Sequence, residues 1–251
     1  MHDSLKISII TVCYNAESCI EKAIQSVIGQ TYKNFEYIVI DGQSTDQTLA
    51  IVNKYKGNIS KIISEKDSGV FDAMNKGVNH STGDIIYFLN SDDYFYDSNI
   101  LEKIGQEFLK SPSTDILNGK VVVDVNTKNH DISAFVAPCK TKKDLLAHGL
   151  CHQRVFAKRH LFEKYGLFNT EYKICADFDW LTKVFNSPVE INFVDYFIAH
   201  FYPYGFSHKE GNGRIKETLT IVFKNASLIE FLYFCLNNFA KIPKKLFSLY
   251  T

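Results

Sequence analysis

The 251-residue sequence has no excess of either charge: 28 Lys and Arg balance 28 Asp and Glu. Without a basic field there is no electrostatic footprint for nucleic acid. It also lacks any run of about 18 apolar residues, the length that a bilayer-spanning helix needs. The six cysteines, at 13, 19, 139, 151, 175 and 235, contain no CxxC and no regular spacing. That excludes a zinc ribbon or a disulfide scaffold and favours a reducing compartment. No GxGxxG follows the first apolar run, which argues against a dinucleotide oxidoreductase. Residues 1–6 hold no apolar core of the kind a signal peptide requires. With no internal repeat and no low-complexity linker, a single cytoplasmic domain is expected.

What is present is a soluble composition, 45% hydrophobic and 22% charged, with an alternation of strands and helices over the first hundred residues. Apolar runs at 7–12, 35–40, 61–64 and 84–89 read as strands. Helical periodicity covers 17–30, a stretch after Ser44 or Thr45 as cap, and 69–78. Such alternation predicts βαβ units and a mostly parallel, Rossmann-like sheet, in which ligands gather at the strands' carboxyl ends. After residue 110 the pattern is looser. Strands are expected at 116–125 and 132–136, joined through 126–131, with a further strand at 189–201. Helices are expected at 159–165 and 176–185, and a glycine-bearing loop at 205–213.

The fourth predicted strand runs without a spacer into Asn90-Ser91-Asp92-Asp93. Alone, this quartet is ordinary turn or cap chemistry. At a buried strand end, however, two adjacent carboxylates repel each other and need solvent or a cation. A hard divalent ion with oxygen ligands satisfies them. The same topology gathers Asp41 and the segment Glu65-Lys66-Asp67 along that edge. Asp72 and Lys76 lie four apart on one helix face and suit an ion pair.

Four ordered motifs carry a family resemblance: Ile7 through Asn15, Gln30-Thr31-Tyr32, Ile38 through Asp46, and Gly83 through Asp93. Over residues 6–110 the chain resembles the family 2 glycosyltransferases of the GT-A fold, and within them the bacterial enzymes of O-antigen, capsule and exopolysaccharide synthesis. The resemblance implies a UDP-sugar donor, Mn²⁺ or Mg²⁺, and inversion at the anomeric carbon. It implies donor binding by residues 1–110, with acceptor binding and the catalytic base in 111–225. By this likeness Asp41 contacts uracil, and Thr11, Val12 and Tyr14 frame the base and ribose. Asp67, Asp72 and Lys76 face the donor. Asp93 ligates the metal, while Asp92 contacts it or the sugar. Asn90 departs from the family's acidic first position, and so removes one negative charge.

The same likeness places the general base at Asp177, in Cys175-Ala176-Asp177-Phe178-Asp179-Trp180, where related enzymes carry an acidic pair. Asp177 and Asp179 cannot face one way on a helix, since positions two apart diverge by about 200°. His152, Asp179 and Trp180 are candidates for the acceptor side, and His200 or His208 for completing the metal site. A lipid-linked or oligosaccharide acceptor is implied, while the homo-oligomeric state stays open. Residues 226–251, apolar and then basic at 241–247, suit contact with the cytoplasmic face of an anionic membrane. Two other readings compete. A sugar nucleotidyltransferase would want a glycine-rich basic loop after the first strand, and a non-catalytic nucleotide-sugar module would be indifferent to Asp177.

Overall fold

A computed structural model describes residues 5–123, 133–202 and 211–238. The expected connection at 126–131, most of the glycine-bearing loop with His208, and the basic cluster at 241–247 lie outside the described residues. Four strands, β1 (Ile7–Cys13), β2 (Phe35–Asp41), β3 (Lys61–Ser64) and β4 (Ile85–Phe88), pair in parallel in the order β3-β2-β1-β4. The helices α1 (Ile20–Ile28), α2 (Thr48–Lys54) and α3 (Val70–His80) connect them.

Every residue of β1 is buried, because helices cover both faces of a parallel sheet. The two-residue strand period sorts the side chains. Ile10, Val12, Ile38, Ile40 and Phe88 pack on one face with Phe71 and Met74 of α3. Ile9, Tyr37, Val39 and Tyr87 pack on the other with Ile20 and Ile24 of α1 and Ile104 of α4 (Ile100–Lys110). Each such side chain contributes roughly 1.5–3 kcal/mol on burial. A one-residue slip would exchange the faces and forfeit that packing, so register is firmly set.

Beyond β4 the sheet turns mixed. β8 (Val155–Lys158) runs antiparallel to β4 and to β6 (Ile116–Val123), which pairs in parallel with β9 (Ile191–Phe201). β5 (Tyr94–Phe95) and β7 (Ser133–Phe135) add antiparallel edges to β9 and β6. The remaining helices are α5 (Lys142–His148), α6 (Arg159–Tyr165), α7 (Ala176–Phe185), α8 (Gly211–Asn225) and α9 (Leu228–Asn238).

Three expectations need correction. Helix α2 begins at Thr48 and takes no cap from Ser44 or Thr45. Ser44 instead donates to Asp41, and the Thr45 N–H donates to Asn15 Oδ1 at 2.8 Å. Residues 211–213 belong to α8 rather than a loop. Helices α4 and α5 and strand β5 had no predicted counterpart.

At the amino ends of these strands the buried Glu36 carboxylate ties β1, β2 and the approach to β4 together. It accepts from Ser8 Oγ at 2.6 Å, Lys6 Nζ at 2.9 Å, and the Thr82 and Gly83 N–H groups. Burial works to raise its pKa, but hydrogen bonds from Ser8, Thr82 and Lys6 prevail and hold it at about 2. A depressed carboxylate stabilises the fold above its unfolded pKa, near 4.5, and that contribution is lost as pH falls toward 2. Glu36→Gln is therefore expected to cost about 1.5–3 kcal/mol at pH 7. Urea titrations at pH 7 and pH 3 should show the gap from wild type shrinking at the lower pH.

Candidate functional site

Because β3, β2, β1 and β4 are parallel, the segments that follow them open on one edge of the sheet. The loops after β1 and β2 are stitched together. Gly42 N–H donates to Cys13 O at 2.8 Å, and Asn15 N–H to Ser44 Oγ at 2.9 Å. Asn15 and Gln43 both adopt positive φ, at 48° and 65°. Left-handed backbone at a residue such as Gln43 costs about 1 kcal/mol or more and persists where the surroundings impose it.

Asp41 lies inside this junction, 0% exposed. Ser44 donates its N–H and Oγ to the carboxylate, and Ser64 Oγ donates at 2.6 Å. Asp41, expected to contact uracil, is thus placed with its oxygens enclosed, and Cys13 Sγ at the end of β1 lies 3.8 Å from its Oδ1. Thr11 and Val12 are likewise buried. Thr11 Oγ1 accepts from Tyr37 OH at 3.1 Å and Val12 packs in the core. Of the three residues expected to frame a base, Tyr14 alone is open, at 62% exposure.

The loop after β3 is pinned from α3. Lys76 Nζ contacts Glu65 Oε1 at 2.9 Å and Lys66 O at 2.7 Å, and lies 3.8 Å from Asp72. Asp72 accepts from the Ser68 N–H, so the predicted 72–76 ion pair serves to shape this turn. Asp67 Oδ1 accepts from the Gly69 N–H at 2.9 Å. Gly69 itself, at φ 131°, makes the turn into α3.

At the end of β4, Asp93 is 1% exposed. Gln153 Nε2 donates to its Oδ2 at 3.0 Å, and the Tyr202 N–H to its Oδ1 at 3.1 Å. Burial, then the neighbouring Asp92 charge, push the Asp93 carboxyl well up; burial also raises Asp92. Among the described residues no lysine or arginine pairs with either, and the buried Asn90 Oδ1 has no hydrogen-bond partner. Two raised carboxylates and an orphaned amide oxygen form an all-oxygen set of the kind hard divalent cations take. No third His, Cys, Asp or Glu among the described residues completes a cage. His200 stacks on Tyr94, with ring centroids 4.3 Å apart.

One short turn, residues 152–154, links this edge to α7. His152 Nδ1 lies 3.2 Å from Asp177 Oδ2, one residue before Gln153 meets Asp93. Gln153 was not among the candidates read from sequence, although its place beside His152 was the available signal. His152, Asp177, Phe88, Phe168 and Trp180 line a small, largely apolar cavity. The tryptophan Nε1–H donates to Gly166 O at 2.8 Å, and its ring stacks on Phe162.

Asp179, two residues beyond Asp177, turns away from this cavity. It is buried, pairs with Lys183 Nζ at 2.6 Å and meets Asn225 of α8 at 3.5 Å. The divergence expected of positions two apart on a helix is realised.

This architecture, a nucleotide-binding type of α/β sheet with acidic strand ends and a second half carrying a further carboxylate, is that of the GT-A glycosyltransferases. Residues 8–166 match the family described as Glycosyl transferase family 2. The chain belongs to that family. A PGL/p-HBAD biosynthesis glycosyltransferase of Mycobacterium bovis is 32% identical over 184 residues, covering 72% of this chain and 70% of that protein. An uncharacterized glycosyltransferase of Mycobacterium tuberculosis is 28% identical over 181 residues, covering 70% and 68%. Among solved structures, S. aureus TarS 1-349 in complex with UDP-GlcNAc has a TM-score of 0.73 at 22% identity, covering 98% of this chain and 76% of that one. The mannosyltransferase PcManGT of Pyrobaculum calidifontis, in complex with GDP-Man and Mn²⁺, has a TM-score of 0.68 at 18% identity, covering 89% and 64%. These structures share the fold.

The two α7 carboxylates differ in what they support, and stability measurements separate them. Asp179→Ala, which leaves Lys183 and Asn225 without their partner, is expected to cost about 1–2 kcal/mol, since the lysine stays partly solvated. Asp177→Asn keeps a hydrogen-bonding side chain in place and should cost less than half as much by urea denaturation.

Proposed function

We propose that the protein transfers a sugar from a UDP-sugar to a hydroxyl of a lipid-linked or oligosaccharide acceptor, with inversion, in bacterial surface polysaccharide synthesis of the O-antigen or capsule kind. The observation that carries this reading is the pair Asp92 and Asp93, raised and without a lysine or arginine partner among the described residues, beside the orphaned Asn90 oxygen. Mn²⁺ or Mg²⁺ held by Asp93 and Asp92, with Asn90 beside them, would neutralise the charge that develops on the departing diphosphate. Gln153 and the Tyr202 N–H keep Asp93 oriented toward that task.

On the opposite side of the reacting carbon the work falls to Asp177. The acceptor oxygen attacks the anomeric carbon, the bond to the diphosphate breaks, and the hydroxyl proton passes to the Asp177 carboxylate. His152 orients that carboxylate from one side, while the Phe178 N–H binds its other oxygen at 2.8 Å. A positioned base of this kind contributes about 10²–10⁴ in rate. Trp180 and Phe168 give the cavity apolar walls that limit competing water.

Isothermal titration should show UDP binding that requires Mn²⁺ or Mg²⁺ and is weakened at least tenfold by Asp93→Asn; equal affinity in EDTA would remove the metal from the scheme. Asp177→Asn is expected to keep donor binding while transfer falls by about 10²–10⁴.

A lipid-linked acceptor also accords with helices α8 and α9. Phe223, Leu228, Ile229, Leu232 and Leu236 are between 54% and 80% exposed. The acids of these helices turn inward, Glu217 to the Ile174 and Cys175 N–H groups and Glu230 to Lys142. Arg214, Lys216 and Lys224 remain outside. Exposed apolar residues accompanied by exposed cations on these two helices complement an anionic bilayer surface, and no helix among the described residues is long and apolar enough to cross one. Leu232→Glu combined with Leu236→Glu should lower cosedimentation with phosphatidylglycerol vesicles several-fold, and unchanged sedimentation would reject this contact.

A further inference from the structure

The carboxylates at the end of β2 and just after β3 differ in what their oxygens are left to meet. Asp41 is fully enclosed, with Ser44 and Ser64 filling its oxygens. Next to it, Gly42 has no side chain, and the space where one would stand is taken. A Cβ built on Gly42 would collide with Asp67 Oδ2, and the Tyr14 ring edge lies 3.4 Å from the same point. Segments from three parallel strand ends therefore meet beside the Gly42 backbone, the exposed Tyr14 from the β1 end and the Asp67 carboxylate from the β3 end.

The Asp67 carboxylate is held for use. Oδ1 is committed to the Gly69 N–H, and Lys76 clamps the loop just before Asp67 through Glu65 and the Lys66 carbonyl. Oδ2 carries no hydrogen bond among the described residues, and Asp67 is partly exposed. Tyr14 can stack under any base, because every base has a π-face. Discrimination must come from a group that tests the base edge, and a free carboxylate oxygen accepts an N–H while rejecting a lone pair.

We propose that Asp67, standing in the space left by Gly42, is the specificity-determining residue for the nucleobase, accepting the imide N–H of uracil and disfavouring cytosine. Asp41 is its positioning partner, binding the three strand ends without touching the ligand. This rests on the reading of the chain as a UDP-sugar transferase.

Isothermal titration of UDP and CDP under one Mn²⁺ concentration tests it. Asp67→Asn is the informative variant, because the Gly69 N–H holds the amide oxygen inward and turns the NH₂ toward the base. That geometry sets donor against donor for uracil and offers a donor to the cytosine ring nitrogen. The wild-type preference for UDP should fall at least tenfold, with CDP binding unchanged or improved. Gly42→Ala, whose methyl displaces the carboxylate, should lower the same ratio without altering Asp67. Asp41→Asn should reduce the melting temperature and leave the ratio within twofold. A wild type that prefers UDP and keeps that preference in Asp67→Asn overturns this inference alone. A wild type that binds UDP and CDP equally overturns the UDP-donor reading as well.

Discussion

Three segments remote in sequence meet on one buried carboxylate. Asp93, in the turn between β4 and β5, accepts from Gln153 in the turn before β8 and from the N–H of Tyr202 just after β9. A carboxylate with 1% exposure is tolerable only when its oxygens are bound, so these contacts are obligatory. They fix where the second half of the chain sits against the first. The turn that brings Gln153 to Asp93 sets His152 against Asp177, and so ties the segment after β4 to the start of α7. Raised carboxyls at Asp92 and Asp93 are the electrostatic residue of this arrangement.

The acids of the sheet edge divide into those that organise and those that present. Asp41, like Glu36 at the opposite end of the strands, has both oxygens taken by neighbouring hydroxyl and N–H groups. Asp67 keeps one oxygen free, and Asp93, bound on both oxygens, is met by neutral amide donors with Asp92 beside it. The distinction follows from hydrogen-bond supply, since a buried carboxylate recruits every donor within reach, while one pinned through a single oxygen keeps the other free. Asp177 is intermediate, oriented on both oxygens yet bordering a cavity.

Much of the regular structure was legible. The strands at 35–41 and 61–64 and the helix at 176–185 coincide with their periodicity to within a residue, because buried parallel strands and amphipathic helices carry their packing in their own pattern. Helix α4 shows such a stripe, Ile100, Leu101, Ile104 and Phe108, yet it follows an acidic loop that drew attention away. The two-residue strand β5 is too short to announce itself and exists through its pairing with β9. Loop chemistry was less readable. Ser44 and Thr45 are good cap residues, and nothing local reveals that Asp41 and Asn15 would claim them instead.

The sequence by itself determined the family, the order of the parallel strands' motifs, and the gathering of Asp41, Asp67 and Asp92–Asp93 near one edge. These follow from residue types in local patterns and from the handedness of βαβ connections. Only the tertiary structure decided which of these acids is spent inside the protein and which is offered outward. That choice depends on donors contributed by distant segments: Ser64 to Asp41, Gln153 to Asp93, His152 to Asp177. Hydrogen-bond satisfaction is settled by proximity in space, and a linear pattern of residues does not contain it.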